Sequence, residues 1–410
     1  MAGALGRPLA LLVSRYRRLD LTEDALGDAF ERAAARWPAD GVPDNPAGWL
    51  LTTSRRRVLD RLRAEAVAAR KEPLIVTDAA IAEAAGGPRA DPGDDSSLAD
   101  ERLRLVLLCC HPALSAESSS VLALRLVIGL PVPDIARLFL SQDAAVAARV
   151  TRAKRKIASA GMPFALPGPD RLAERVDRVA DVAYLAFTAG YVPAPGPELF
   201  RAALAGEAVR LLTVTREVAG GSPLVDAQLA LMLLQHARRD ARQDPASGEL
   251  VLLPDQDRSR WHHDEIAQAT AVLAPMLSDP PAGPARRRLL EALIAAEHAV
   301  APRAQDTRWD PICGYYTELE RLTASPVVRL NRAVAVGEWH GPAAGLALLD
   351  GLDAELPGSH RLPAVRAELL ARHGDHPAAR AAYGQALRLC TNEVERRHLA
   401  ARLDGLSGGT

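Results

Sequence analysis

The sequence is poor in aromatic residues, which make up only 4% of its 410 residues, and it has almost no runs rich in β-branched residues. Strands are enriched in both residue types, so a large β-sheet is excluded. Alanine, leucine and arginine dominate instead, and all three favour helices. Composition therefore predicts an all-α protein, and the length predicts two or three domains.

Cysteine is also scarce. The four cysteines form no CxxC pair and no Cys/His cluster with zinc-binding spacing. A disulfide framework is therefore not expected, and a reducing cytoplasm fits the composition. Cys109 and Cys110 lie in an apolar run and are predicted to be two buried thiols. His262 and His263 are adjacent and would point in different directions on a helix, so we expect no metal and no cofactor.

Long hydrophobic runs and an excess of one charge are missing as well. No apolar run is long enough to cross a membrane, and the first residues lack the features of a signal peptide. The net charge is −1, whereas a protein that only coats nucleic acid is expected to be basic. Any nucleic-acid interface must therefore be a local basic surface. The absence of a phosphate loop and of a GxSxG motif means that no enzymatic activity is predicted.

Changes in composition divide the chain into domains. Residues 73–97 are rich in acidic residues and contain Gly-Gly-Pro and Asp-Pro-Gly, which is typical of a flexible linker. Residues 161–170 are rich in proline and glycine and mark a second boundary. The predicted domains are therefore residues 1–72, 98–160 and 171–410, all of them helical.

The first basic stretch covers residues 49–72, which hold seven basic and three acidic side chains. An Asn-Pro pair just before it is typical of a helix start. Leu51, Val58 and Leu62 recur at near-helical spacing and can face a core, which leaves the arginines to face phosphates. A solvated charged face is the alternative interpretation.

The second basic stretch is predicted to be a helix-turn-helix. Residues 132–140 indicate a short helix, residues 141–143 a turn with a cap, and residues 144–156 a second helix that is strongly basic. The side of the second helix predicted to pack inward consists of Val146, Val150, Ala153 and Ile157. The side predicted to point outward consists of Ala145, Arg149, Arg152 and Lys156. An ordinary helical hairpin with a basic surface is the alternative.

The C-terminal part contains a weak internal repeat. Similar segments follow Pro342 and Pro377, whose separation of 35 residues is close to the period of tetratricopeptide (TPR) repeats. A plain helical bundle is the alternative, because helix pairs with short turns occur in both. Within this part, Asn331 and Arg332 lie in an apolar helix and are predicted to form a buried polar network.

Several segments resemble an extracytoplasmic-function (ECF) sigma factor of RNA polymerase. Residues 21–31 (LTEDALGDAFE) resemble the polymerase-binding helix of sigma region two. Residues 45–63 (NPAGWLLTTSRRRVLDRLR) resemble the promoter-reading helix that follows it. Residues 111–115 (HPALS) and 130–157 resemble region four. The resemblance thus includes both basic stretches.

The C-terminal part resembles one subgroup of these factors, which carries a TPR-like extension. The segments that carry this resemblance are residues 257–261 (DRSRW), 301–306 (APRAQD) and 327–336 (VVRLNRAVAV). Gly27 departs from the family, which usually has Gln at that position, and Ala145 stands where Thr is common. Apart from these two departures, the resemblance covers nearly the whole chain.

The resemblance implies a function for each region. Region two would dock on the β′ clamp of core RNA polymerase and open the minus-ten element, and region four would dock on the β flap and read the minus-thirty-five element. The implied polymerase contacts are Asp24, Asp28 and Phe30. The implied DNA-facing residues are Arg55, Arg56, Arg57 and Arg61 in region two, and Ala144, Ala145, Ala148, Arg149, Arg152 and Arg155 in the recognition helix.

We therefore expect a cytoplasmic promoter-specificity subunit without catalysis, whose partners are core RNA polymerase and promoter DNA. Residues 171–410 would form a TPR-like domain that regulates the front half and binds a regulatory protein or ligand. One alternative is a stand-alone helix-turn-helix regulator with a TPR-like protein-interaction domain. Another is a helical scaffold or hydrolase whose basic helices are incidental.

Overall fold

The computed structural model describes residues 6–69, 95–162, 164, 167–191 and 200–406. Over these residues the chain is helical, and extended structure is limited to isolated bridges such as that between Gln243 and Leu250. The prediction of an all-α protein is confirmed. None of the described helices combines the length and the apolar composition that a membrane crossing requires.

The chain divides into two compact units. The first unit comprises Met1–Ala189 and Arg210–Gly220, and the second comprises Gly190–Val209 and Gly221–Thr410. The described helices that lie in the first unit are α1 (Gly6–Tyr16), α2 (Leu19–Asp40), α3 (Pro46–Ala69), α4 (Asp95–Cys109), α5 (Ala116–Ala123), α6 (Val132–Leu138) and α7 (Asp143–Ser159).

Two helices run from one unit into the other: α8 (Pro169–Tyr191) and α9 (Ala202–Ala219). The described helices of the second unit are α10 (Pro223–His236), α11 (His263–Ser278), α12 (Gly283–Val300), α13 (Trp309–Thr323), α14 (Pro326–Trp339), α15 (Pro342–Ala347), α16 (Leu352–Glu355), α17 (Arg361–His373), α18 (His376–Leu389) and α19 (Glu393–Gly405).

The core of the front helices follows from helical spacing. Leu21 and Ala25, four residues apart on α2, pack against Val58 of α3, and Tyr16 and Leu62 cover this cluster. Residues four apart share one side of a helix, so α2 presents a continuous apolar side to α3. The apolar side predicted for the basic helix therefore does face a core at Val58 and Leu62.

The start of α3 confirms the predicted cap. Asn45 Oδ1 accepts a hydrogen bond from the backbone N–H of Gly48 at 2.8 Å, and Pro46 is the first helical residue. The asparagine thereby satisfies one of the N–H groups that have no partner within the helix.

The adjacent cysteines lie at the end of α4, with Cys109 as its last residue and Cys110 directly after it. Cys109 and Cys110 are both fully buried and free, as the sequence predicted. Burial raises the pKa of both thiols, that of Cys110 to about 12. Both are therefore protonated packing residues at neutral pH.

Two arginines of α8 bind carbonyl groups at and after the end of α4. Arg175 Nη1 donates to the carbonyl oxygen of Leu107 at 3.3 Å, and Arg178 Nη1 donates to the carbonyl oxygen of Leu114 at 3.0 Å. The last carbonyls of a helix have no partner within it and favour a cation. The start of α8 is therefore part of the packing of the first unit.

The two predicted linkers are only partly described. Most of residues 73–97 lies outside the described residues, and α4 already begins at Asp95. Within residues 161–170, Gly161 has a φ of +57°, which suits a glycine at the end of α7, and α8 begins at Pro169.

In the second unit, helix α10 is almost completely buried and packs against α11 and α12. Farther along, Ile312 and Leu319 of α13 pack with Ala335 of α14. A further cluster joins Leu330 of α14 to Leu369 of α17. Each helix thus packs mainly against helices close to it in sequence.

The C-terminal repeat is irregular. Pro342 and Pro377 both lie in the first turn of a helix, but α15 has 6 residues whereas α18 has 14. Close packing of α14 and α15 requires glycine, because a Cβ on Gly345 would lie 2.6 Å from the carbonyl oxygen of Ala333. The helices that follow, α17 to α19, share a cluster containing Tyr383 and Leu399.

Candidate nucleic-acid interface

Helices α6 and α7 have the lengths and the short connection of a helix-turn-helix. The first helix ends at Leu138, earlier than predicted, because Leu140 adopts a φ of +48° and breaks the helical backbone. The second helix begins at Asp143, whose carboxylate lies in the first turn, where negative charge is favourable. Helix α7 packs against α5 as well as α6.

The two sides of α7 divide largely as predicted. The buried residues are Val146, Val150, Ala153 and Ile157. The exposed residues among those predicted to read DNA are Ala144, Ala145, Ala148, Arg152 and Arg155. An exposed helix side with small residues near its start and arginines farther along allows close approach to a major groove.

Arg149 departs from this pattern. Its side chain is only 24% exposed, and its Nη1 lies 2.6 Å from Oε1 of Glu117 on α5. The outward orientation predicted from helical spacing is therefore incomplete at this residue. Any anion that approached Arg149 would have to compete with the carboxylate of Glu117.

The C-terminal half of α7 contacts the helix predicted to bind polymerase. Lys154 Nζ lies 2.6 Å from Oε2 of Glu23 on α2, and both side chains are about three-quarters buried, with exposures of 26% and 22%. Helices α2 and α7 pack against each other at this point. Helices α2 and α7 thus meet within one compact unit.

The acids and arginines predicted for different partners bind each other. Arg57 Nε donates to Asp28 Oδ2 at 2.9 Å, and Arg61 donates to Asp24 Oδ2 at 2.9 Å and to Asp28 Oδ2 at 3.3 Å. Asp24 is 63% exposed and Asp28 is 27% exposed. Ion pairs this exposed each contribute at most about 1 kcal/mol, so an external partner can replace them.

The remaining predicted residues of region two differ in exposure. Arg56 is exposed, whereas Arg55 is partly buried. Phe30 packs against the cluster of Ala29, Ala33 and Leu50 between α2 and α3. Phe30 therefore contributes to the core, and only part of its ring is open to a partner.

A cavity of about 300 Å³ borders α2 and is also lined by Leu9 of α1 and Arg61 of α3. The charged residues that line it are Glu23, Asp24, Asp28, Glu31, Arg61 and Arg125. Gly27 also borders the cavity, and a Cβ at this position would meet no atom within 4 Å. Acidic side chains therefore predominate among the charged groups of the cavity, and it has room for a side chain at position 27.

The second unit contains a cavity of about 450 Å³. Residues from 257–261, 301–306 and 327–336, the three C-terminal segments singled out in the sequence, border it. Arg258, Gln305 and Asn331, one from each segment, line it. Asn331 is exposed to this cavity, and Arg332 pairs with Glu320 at 2.7 Å, so the predicted buried polar network is wrong. The apolar pattern of α14 did not reveal that Asn331 faces a cavity.

Burial and two nearby arginines set the protonation of the histidine in this cavity. Burial, together with the charges of Arg238 and Arg258, lowers the pKa of His298 to about 4. Its ring is therefore neutral at pH 7 and packs edge-on against Trp309, with the ring centroids 5.2 Å apart.

Comparison with known proteins places the chain in a family. It is 40% identical over 404 residues to the uncharacterized protein R00370 of Rhizobium meliloti (strain 1021), covering 98% of this chain and 94% of that protein. The chain belongs to the family of R00370. Within it, residues 175–277, from α8 to α11, match a model described as a family of unknown function (DUF6596).

A solved structure was also matched, the crystal structure of the P58(IPK) TPR domain. It is 9% identical in sequence and covers 94% of this chain and 98% of its own, with a TM-score of 0.26. That score is too low to indicate a shared arrangement of helices.

The sequence did not reveal the acidic partners of α7. Glu117 lies before the predicted helix-turn-helix, and Glu23 lies in a different predicted domain. No local pattern links either glutamate to α7, because both contacts arise from packing between helices distant in sequence.

Proposed function

We propose that this chain is an RNA polymerase sigma factor of the ECF type that directs core polymerase to promoters. The observation that carries the proposal is the exposed side of α7. It places Ala144, Ala145 and Ala148 ahead of Arg152 and Arg155 on the second helix of a helix-turn-helix. Small residues can contact a thymine methyl group, and arginines bind guanine or phosphate.

The paired helices α2 and α3 would form region two. Asp24 and Asp28 would contact the β′ clamp, with the exposed part of Phe30 beside them. Arg55, Arg56, Arg57 and Arg61 would face promoter DNA. Because the ion pairs between the two sets are partly exposed, polymerase and DNA can separate them at small energetic cost.

The C-terminal helices would form a TPR-like regulatory domain. Their packing as successive neighbours supports this, since such stacks offer surfaces for a protein or a ligand. We place the whole protein in the cytoplasm, where polymerase and promoters are found, and assign it no catalysis.

A second candidate is a DNA-binding regulator that does not engage polymerase. The observation that favours it is that Asp24 and Asp28 already have partners, Arg57 and Arg61. Such a regulator would use α7 in the same way but would not bind core enzyme.

Transcription by purified core polymerase on a library of promoter fragments tests both candidates. The sigma proposal predicts a complex with core enzyme and transcripts that depend on the chain. The double variant Arg152→Ala and Arg155→Ala should lose these transcripts, whereas Arg36→Ala, which removes an exposed arginine from α2, should keep them.

The outcomes separate the candidates. Specific DNA binding without a complex with core enzyme would favour the stand-alone regulator. Absence of both DNA binding and core binding would refute both candidates.

A further inference from the structure

Three potential metal ligands meet near the C-terminus of the second unit. The Nε2 of His360 lies 3.3 Å from Oε2 of Glu395, and the Sγ of Cys390 lies 4.0 Å from the same oxygen. All three ligand atoms lie within 4.8 Å of one another. No pattern in the sequence indicated this cluster, because the histidine is 30 residues from the cysteine and matches no zinc-binding spacing.

Helix ends bring the three side chains together. His360 directly precedes α17, Cys390 directly follows α18, and Glu395 lies in the first turn of α19. Each ligand is therefore held by a different helix, and a bound ion would connect all three.

Neighbouring groups fix the backbone of two of the ligands. Asn392 is 2% exposed, and its Oδ1 accepts hydrogen bonds from the backbone N–H groups of Val394 and Glu395, both at 3.0 Å. Arg396 Nη1 donates to the carbonyl oxygen of Cys390 at 3.1 Å. Support of this kind around the ligands holds a site in the geometry that a metal requires.

The separations fit a small tetrahedral ion. Zinc bonds of about 2.0–2.3 Å place neighbouring ligand atoms roughly 3.3–3.8 Å apart. The histidine–glutamate distance already lies in this range. The sulfur lies 4.0 Å from the glutamate oxygen and within 4.8 Å of the histidine nitrogen, so it needs to move inward by up to about 1 Å. Once the thiol of Cys390 has released its proton to solvent on metal binding, a thiolate and a carboxylate together supply two negative charges, which balance the charge of a divalent cation.

The exposure of the three side chains would also allow an ion to reach them from solvent. Cys390 is 3% exposed, whereas the side chains of His360 and Glu395 are 24% and 18% exposed. The sulfur is thus protected, while the nitrogen and oxygen face the side from which an ion and a water ligand can arrive.

We propose that His360, Cys390 and Glu395 form a Zn²⁺ site with three protein ligands and one position open to water. A sulfur, an imidazole and a carboxylate together match zinc better than calcium or magnesium, which prefer oxygen ligands alone. The ion would fasten α19 to α17 and α18.

The test uses the full-length chain after its metal has been removed with a chelator. Competition with a chromophoric zinc chelator should show one Zn²⁺ bound per chain. His360→Ala, Cys390→Ser and Glu395→Gln should each weaken binding by at least about tenfold, the lower end of what loss of a supporting group costs. Cys313→Ser is the matched control, because Cys313 is a buried cysteine of the same unit in a different cluster.

A second readout identifies the ligand directly. Co²⁺ bound in place of Zn²⁺ should show the charge-transfer absorption of a cobalt–thiolate bond, which Cys390→Ser should remove and Cys313→Ser should keep. If Cys390→Ser does not fold, the nearly isosteric Glu395→Gln variant decides. Failure of the parent chain to bind Zn²⁺, or unchanged affinity in Glu395→Gln and Cys390→Ser, would overturn the proposal.

Discussion

Replacing Glu117 by glutamine should strengthen DNA binding. The carboxylate of Glu117 lies 2.6 Å from the guanidinium of Arg149 in the middle of the proposed recognition helix. Glutamine keeps the size and shape of the side chain but removes its charge. The change therefore releases Arg149 for a phosphate.

The magnitude follows from counterion release. One additional phosphate contact steepens the dependence of log K on log salt by about 0.9, which corresponds to a gain of up to about eightfold at 0.1 M salt. The cost in stability is small, because a partly exposed ion pair contributes at most about 1 kcal/mol. The effect should therefore appear in binding and its salt dependence, with little change in melting temperature.

Fluorescence anisotropy with duplex DNA across a range of salt concentrations measures this effect. Glu31→Gln is the control, because it removes an acid from α2 and changes the net charge equally. In the double variant Glu117→Gln and Arg149→Ala the gain should disappear. An unchanged salt slope in Glu117→Gln, or a gain that survives loss of Arg149, would refute the assignment of Arg149 to the DNA-binding side.

Four further predictions concern polymerase binding and stability. Charge reversal at Asp24 and Asp28 should reduce complex formation with core polymerase in a pull-down, and wild-type affinity would show that this side of α2 is not the contact. Gly27→Gln should stabilise the protein by about 0.5–1 kcal/mol in urea unfolding, because it removes a glycine from a helix interior where the new side chain has room; destabilisation would contradict this. Arg178→Ala should lower the free energy of unfolding by roughly 1.5–3 kcal/mol, since its cation bonds carbonyl groups beyond the end of α4; a loss below about 0.5 kcal/mol would contradict that role. Burial lowers the pKa of His298 to about 4, so between pH 6.5 and pH 4 the unfolded chain binds a proton at this histidine that the folded chain does not bind. The free energy of unfolding should therefore fall by about 3 kcal/mol as the pH is lowered from 6.5 to 4. His298→Gln should flatten this dependence in urea titrations at several pH values, and an unchanged slope would be the contrary result.

Much of the local structure could be predicted from the sequence. The cap at Asn45, the buried side of α7 at Val146 and Val150, and the burial of Cys109 and Cys110 all agree with expectation. These features depend on residues within about one or two helical turns of each other, so composition and spacing are enough to predict them.

The contacts that define the candidate sites were decided by tertiary packing. Arg149 was predicted to face outward like Arg152, but α5 places Glu117 beside it. Asn331 was predicted to be buried, but neighbouring helices leave a cavity next to it. Helical spacing gives the side of a helix on which a residue lies, but it does not give what lies opposite that side.

Helical spacing also could not predict the proposed zinc site, because its ligands come from different helix ends. The all-α class, the approximate positions of many helices and the apolar side of the basic helices could be read from the residues alone, because these features follow from interactions between near neighbours along the chain. Only the tertiary structure brought His360, Cys390 and Glu395 together and paired Asp28 with Arg57. Those contacts join helix ends or helices far apart in sequence, and their formation depends on how whole helices pack.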